Sequence, residues 1–506
     1  MKITMHRYFL TVLIFFISVQ VSSAQNKTTN AKELIDQSIA AMGGIDKLKA
    51  IRSIHTRSVG HFFLLEQSER PDGPWLSINQ ATEEWRDVEN GNIRRTFEQT
   101  GVLEDKATEI VAGGVSVADH GGGFTPNPDN VLPTDELLAT APERILLNAL
   151  LAPDLQYAGT EVVQGTQNNI VSFTWKGSLV KVYLNQNSNL LTMTDVVKAR
   201  PTELFWGIWG DFSEKNYYSF WNLEKGGFHY PQQVDTFYNG QPWRMNTITS
   251  IEFNTDIPKD TFLIPEAAKT AYAAASKSMF MDAPLGRPDR PPVELAAGFT
   301  VIRGLWNVSI VKQNDGIVLI EAPISSNYSV KVIEEVKRRY PNEKIKGVIS
   351  TSDAFPHFGG LREYVAAGIP VYILDLNKPI IDRLIAANYK TFPDNLEKTP
   401  ARKKSKLNIV STKTVIGTGA NQLELYPIRT ETGERMIMIY VPQLKVLYGS
   451  DLVQPLPTGG FFMPQYISEL RDAATREKLD VERVFAIHSA PLEWKKLLDF
   501  LNNSEK

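Results

Sequence analysis

The sequence predicts an α+β protein in two parts: a front region on a mainly antiparallel, curved sheet, and a rear region of helices layered on sheets. Three observations predict it. A short helical segment leads into a long meander of strand-like segments in the first half of the chain. The stretch Asp282 to Pro292 carries four prolines and several charges, the composition of a semi-rigid linker. Beyond Glu294, strand and helix patterns alternate to the end. The expected divisions are residues 1–24, 25–265, 266–293 and 294–506.

The front elements follow from apolar spacing. In residues 31–50, Ala31, Leu34, Ile35, Ile39 and Met42 share one helical face, and Gly43-Gly44 stops the first helix. Ile54 to Phe63 alternates loosely, as a strand does. Thr134 to Leu151 reads as helix with Thr134 as its N-cap, divided at Pro142. Val171–Trp175 and Val180–Leu184 alternate as strands, and Asn239-Gly240 between two aromatic-rich runs marks a hairpin. Ala267 to Met279 reads as a short helix before the prolines.

In the rear region, strands are expected at Gly316–Glu321, Ile345–Ser350, Pro370–Leu374, Met436–Val441, Val446–Tyr448 and Val481–Ile487. Helices are expected at Ser329–Tyr340, Leu361–Ala367, Glu469–Lys478 and Leu492–Leu501.

Composition excludes several classes of function. The 506 residues are 42% hydrophobic and 22% charged, with a net charge of -3, so no basic field suits nucleic acid. With no cysteine, the chain forms no disulfide, thiolate metal site, cysteine nucleophile or cysteine-linked lipid anchor. Lys2, His6 and Arg7 precede an apolar run from Phe9 to Val21, followed by Ser22-Ser23-Ala24. That order is an export signal cleaved after Ala24, and it places the mature protein in the periplasm or outside the cell. The run is shorter than the ~20 residues a spanning helix needs, and no later segment is long and apolar enough to span.

The block Ala41-Met42-Gly43-Gly44-Ile45-Asp46-Lys47-Leu48-Lys49-Ala50-Ile51, followed by a strand, resembles the half-barrel domains of periplasmic lipoprotein carriers and envelope-stress regulators. The resemblance implies a small-molecule or lipid-like ligand. Trp175, Phe205, Trp206, Trp209, Phe220 and Trp221 are candidates for lining an apolar pocket, though ordinary sheet packing is the better account of each one taken singly.

Of the seven histidines, only His357 and His488 follow the linker. Each sits just past an expected strand, where α/β sites form. Asp451 stands in the same relation to Val446–Tyr448. The stretch Gly347 to Gly360, with the helix from Leu361 to Gly368, resembles the metal-binding strand-loop-helix of the metallo-β-lactamase superfamily, whose loop reads His-x-His-x-Asp-His-x-Gly-Gly. Here it reads Ser352-Asp353-Ala354-Phe355-Pro356-His357-Phe358-Gly359-Gly360.

The resemblance spans about Val301 to Leu501 and implies an αββα sandwich with a degenerate metal site. Ser352 and Ala354 stand for two histidines, Pro356 for the aspartate, and Thr432 falls near a further lost histidine. His357, Asp451 and His488 match retained ligands.

Three readings follow. His357, Asp451 and His488 hold one zinc for a mononuclear hydrolase, with Asp451 and His488 catalytic. Alternatively the domain is a pseudoenzyme with a decayed site. A third reading puts function in the front region, as a carrier or sensor of an apolar ligand. As a loop residue at a cleft, His357 is expected to contribute little to fold stability.

Overall fold

The computed structural model describes residues 30–504, apart from 66–69, 103, 204, 276–280, 405–406 and 457–458. The export signal expected over residues 1–24 lies outside the described residues.

The front part begins with helices Ala31–Ala41 and Ile45–Lys49. Asn30 caps the first through a side-chain bond from the Lys32 amide (3.0 Å). Gly43 has φ +120°, and a Cβ there would lie 2.7 Å from the Phe228 Cβ, so the break between the helices requires glycine. The expected helix around Pro142 is two helices, Val131–Thr140 and Pro142–Leu151. Proline fits the first turn of the second because its missing N–H has no intrahelical partner there. Thr134 is not the N-cap: that position is Asn130, and Thr134 is buried within the first helix.

Among the described residues, thirteen strands form one antiparallel sheet. Its centre is Ser53–Phe63 paired with Gln241–Phe253; the meander runs outward in chain order on one side, and on the other it runs inward from Gln156–Val163 at the edge. The Asn239-Gly240 turn has φ +48° and +82°, the positive pair that suits a two-residue hairpin. The three long strands Ser77–Asp87, Asn92–Gly101 and Asp105–Ala112 had no clear apolar alternation in the sequence. The front core joins the helices to one end of the sheet, with Ile35, Ile39, Ile145, Leu146, Phe173 and Val182 among its buried members.

The rear part holds two sheets. One runs through Val293–Ala296, Phe299–Ile302, Val308–Gln313, Gly316–Ile320, Ile345–Ile349, Val371–Leu374 and Asn408–Val410, antiparallel at first and parallel from Gly316–Ile320 onward. The other runs through Thr414–Ile416, Leu423–Pro427, Ile437–Val441, Val446–Tyr448, Arg483–Phe485 and Leu492–Glu493. One core joins Leu319 and Val348 of the first sheet to Leu425 and Ile439 of the second, and to Val332 and Val336 of helix Ser326–Arg339. A further core joins Met438 and Leu447 to Ile467 and Leu470 of helix Pro464–Arg476 and Leu497 of helix Trp494–Ser504.

The segment between the halves is packed rather than free. Helix Glu266–Ala274 seats Ala268 against Ile110 and Val117 of the front sheet. The part of that expected helix falling on 276–280 lies outside the described residues. Met281 and Ala283 are buried in the rear core, and Lys331 Nζ reaches Asp282 (2.8 Å). Front residues Trp206, Ile208, Trp209, Phe212 and Tyr238 belong to that same core, so the two halves share an apolar interior. No helix among the described residues is long and apolar enough to cross a membrane.

Candidate functional site

Parallel pairing explains how the site residues meet. Val446–Tyr448 and Arg483–Phe485 run side by side with Tyr448 opposite Phe485. Asp451 and His488 each lie three residues past those partners, so they emerge next to one another. Asp451 Oδ1 is 2.9 Å from His488 Nε2, and Gln454 Nε2 donates to the same oxygen (3.1 Å). On the first sheet Ile320 lies opposite Ile349, and the Glu321 amide bonds to the Ile349 carbonyl (2.8 Å). That puts Glu321 beside Thr351 at the mouth of the loop that carries His357.

His357 stands on the short helix Phe355–Phe358. The two glycines after it let the loop press on its neighbours. A Cβ on Gly360 would lie 2.0 Å from Ser329 Oγ, and one on Gly359 would lie 2.6 Å from the Ile324 carbonyl oxygen. His357 is fully buried, which corrects the expectation of a loop histidine open to a cleft. Its Nδ1 is 3.0 Å from Glu321 Oε1, and its Nε2 is 3.9 Å from Asp451 Oδ1. The second distance is an ion-pair separation, too long for a hydrogen bond. Nε2 is buried without a hydrogen-bond partner.

Glu321 is the functional candidate that the sequence reading passed over. It is fully buried and accepts hydrogen bonds from Tyr448 Oη (2.8 Å) and from the Thr351 hydroxyl. Thr351 in turn meets Ser450 Oγ (2.7 Å), tying the two sheets together. Glu321 and Ser450 have φ +75° and +52°, a region non-glycine residues occupy at a cost of about 1–3 kcal/mol. The available sequence signal was a carboxylate closing a run of four apolar residues, Ile317 to Ile320.

The charges of this row interlock. Burial works against a charged His357 imidazolium, but Glu321 and Asp451 outweigh it and lift the group to about 10. Burial likewise works to raise Asp451, and the two imidazoles outweigh it, holding the carboxyl well below the usual carboxylate range. His357 thus lies between the carboxyl groups of Glu321 and Asp451, with His488 on the far side of Asp451. His357 and Glu321 are sealed, whereas His488 is 29% and Asp451 16% exposed at the side chain, so those two face the surface.

The other sequence candidates stand apart from this row. Ser352 Oγ accepts from the Ala354 amide (3.2 Å). Burial pushes Asp353 up to about 7 against the opposing charge of Arg435, whose Nε is 3.6 Å away. Thr432 turns to the neighbouring helix, where its hydroxyl donates to Glu469 Oε2 (2.7 Å).

The arrangement was tested against the metal its resemblance implies. Tetrahedral zinc with ~2.0–2.1 Å bonds to nitrogen sets its ligand atoms about 3.3 Å apart. The separations here, 2.9 and 3.9 Å, fall on either side of that value. Among the described residues no group of three or more His, Asp or Glu side chains is arranged to hold a metal ion. A ligating imidazole must also be neutral, whereas the flanking Glu321 and Asp451 favour the charged form of His357. As the side chains stand, they do not fit a metal.

The six aromatics considered for an apolar pocket do not converge. Trp206 and Trp209 are buried in the core shared by both halves, and Phe205 packs edge-on against Phe355 at 5.1 Å. Trp175 and Trp221 lie against the front core, and Phe220 is 79% exposed.

No model of a known protein family matches the sequence, and no curated protein does. Solved structures give partial matches. An inverting sec-alkylsulfatase from Pseudomonas sp. is 15% identical with a TM-score of 0.32, covering 44% of this chain and 41% of its own. This chain therefore spans about two fifths of that enzyme's length. A metallo-β-lactamase from Pontibacter korlensis is 17% identical with a TM-score of 0.32, covering 42% of this chain and 98% of its own. The DIM-1 metallo-β-lactamase is 14% identical with a TM-score of 0.32, covering 44% of this chain and 98% of its own. The chain is thus similar to metallo-β-lactamases and to an alkylsulfatase.

Proposed function

We propose that the rear half is an αββα sandwich of the metallo-β-lactamase type whose metal centre has decayed, and that this exported protein acts as a pseudoenzyme. The sandwich reading is supported by its two rear cores, one between the sheets and one under the last helices. Export is supported by the basic, apolar and small-residue order of the first 24 residues.

One observation carries the pseudoenzyme reading: Glu321, His357, Asp451 and His488 stand in a row at separations of 3.0, 3.9 and 2.9 Å, with His357 sealed between two carboxyl groups. Its sealed end leaves no room for a hydrolytic centre built around His357. Asp451 and His488 then form a mostly buried polar pair that reaches the surface and is suited to binding.

A second reading has its own support. A metal-binding histidine ordinarily gives its other ring nitrogen to a carboxylate, as His357 Nδ1 does with Glu321, and its Nε2 has no partner. In that reading His357, Asp451 and His488 hold one zinc, which would supply an activated water. Elemental analysis of protein purified without chelators, followed by zinc titration, separates the two. The pseudoenzyme reading expects well under one equivalent of metal. Uptake near one equivalent, lost in both His357→Ala and His488→Ala, overturns it in favour of the mononuclear hydrolase.

A further inference from the structure

The front sheet encloses a cavity of about 470 Å³, within the ~300–1,000 Å³ typical of small-molecule sites. Strands from both sides of the meander line it, so the sheet wraps around the space. Its lining alternates at the strand period: Gln80, Thr82, Glu84 and Arg86 on one strand, Glu214, Asn216 and Tyr218 on another. These two strands present polar and charged groups, while Leu137, Val234, Met245 and Ile248 add apolar patches to the wall. An acyl chain there would strip water from ionised groups without replacing its hydrogen bonds.

Four of the five lysine and arginine side chains in the wall are ion-paired, and the carboxylates Glu109 and Asp129 also line it, without an ion pair among the described residues. Lys198 Nζ reaches Glu136 and Glu214, each at 2.9 Å. Arg200 reaches Glu136 (2.8 Å) and Glu203 (3.1 Å). Arg86 and Arg95 both clamp Glu84. Arg244 has no carboxylate within ion-pair distance among the described residues, and its Nε is buried without a hydrogen-bond partner. Burial and the nearby Arg95 charge press its guanidinium below the usual arginine range.

The guanidinium is held in place. It lies over the Trp243 ring (4.5 Å) and within 6.0 Å of Phe62, which faces it across the strand pair. Trp243 in turn stacks on Tyr238 (4.4 Å). Asn246 follows on the same face of the strand and also lines the space. A cation with a buried, unpartnered Nε, held against aromatic rings and facing a wall of amides and hydroxyls, has the parts for one ligand class.

We propose that this cavity binds a small, hydrogen-bonding organic anion of sugar-acid size. Its carboxylate or sulfate sits on Arg244, and its body reaches towards Gln80, Asn216 and Asn246. The anion supplies the charge-assisted bonds the guanidinium lacks. A neutral analogue supplies only the wall contacts.

The test is isothermal titration calorimetry of the full mature chain with glucuronate, galacturonate, glucose 6-sulfate, glucose and palmitate. At least one of the three acidic sugars is expected to bind at least tenfold more tightly than glucose. Arg244→Gln brings it down to the level of glucose, and Arg244→Lys recovers part of the difference. A readout on the unaltered protein guards against a variant that fails to fold: the binding acidic sugar should protect Arg244 from phenylglyoxal, read by peptide mass. Three results would each overturn the proposal: no acidic sugar binding up to about 10 mM, equal binding of acidic sugar and glucose, or palmitate binding that survives Arg244→Gln.

Discussion

Replacing His357 by alanine is expected to be costly. The imidazole is sealed against Glu321, whose remaining partners, Thr351 and Tyr448, are neutral hydroxyls. Truncation leaves a buried carboxylate with no cation, and breaking such a pair costs about 3–5 kcal/mol. The rise of the imidazole from 6.5 to about 10 corresponds to roughly 5 kcal/mol, the same order. Because the folded-state value lies above the unfolded one, this contribution is full below pH 6.5 and is lost as pH rises through about 10. Urea unfolding of wild type and His357→Ala at pH 6, 8 and 10 measures it. The difference should be largest at pH 6 and shrink towards pH 10. Adding Glu321→Gln to His357→Ala should recover much of the loss, since a neutral amide costs less to bury. A loss under about 1 kcal/mol at pH 6, or one that grows with pH, would refute the reasoning.

Other outcomes follow from the same structure. Glu84 and Glu214 are each held at about 2 by flanking cations against the cost of burial. Their folded-state values lie below 4.5, so their stabilisation is present above that pH and is lost as pH falls through about 2; urea midpoints should drop steeply over this range, and less so in Glu84→Gln. Gly210 has φ +65°, and a Cβ there would lie 2.2 Å from the Asn388 carbonyl oxygen across the contact between the halves. Gly210→Ala should therefore cost at least about 1–3 kcal/mol by the same unfolding measurement. Proteolysis between Asp282 and Pro292 should leave the two pieces together on size exclusion, because Trp206, Ile208 and Trp209 are buried in the rear core; Trp206→Ala with Trp209→Ala should loosen them.

Much of the fold was legible because apolar spacing reports which face of an element is buried. The helix faces of Ile35 and Val332, the Pro142 division and the Asn239-Gly240 hairpin all stand where spacing and turn chemistry put them. The strands from Ser77 to Ala112 were not legible, because both faces of that part of the sheet carry polar residues. Glu321 escaped notice because a strand-end carboxylate reads as the start of a loop until its neighbours across the sheet are known. The full burial of His357 escaped notice for a related reason: its loop is covered by Ile208 of the front half, far away in the chain.

The sequence by itself determined the chemistry at hand: no thiols, two histidines behind the linker, and His357, Asp451 and His488 each just past a strand. Local patterns suffice for this, since they depend on residues a few positions apart. Only the tertiary structure decided what those groups meet. Pairing Val446–Tyr448 with Arg483–Phe485 set Asp451 against His488, and the parallel step from Gly316–Ile320 to Ile345–Ile349 brought Glu321 beneath His357. The same holds for the front cavity. Alternating polar residues such as Gln80, Thr82 and Glu84 read in sequence as a solvent-facing side, and the wrapping of the sheet made that side an interior. A period of two says that two faces differ; which one is enclosed depends on how distant strands close around it.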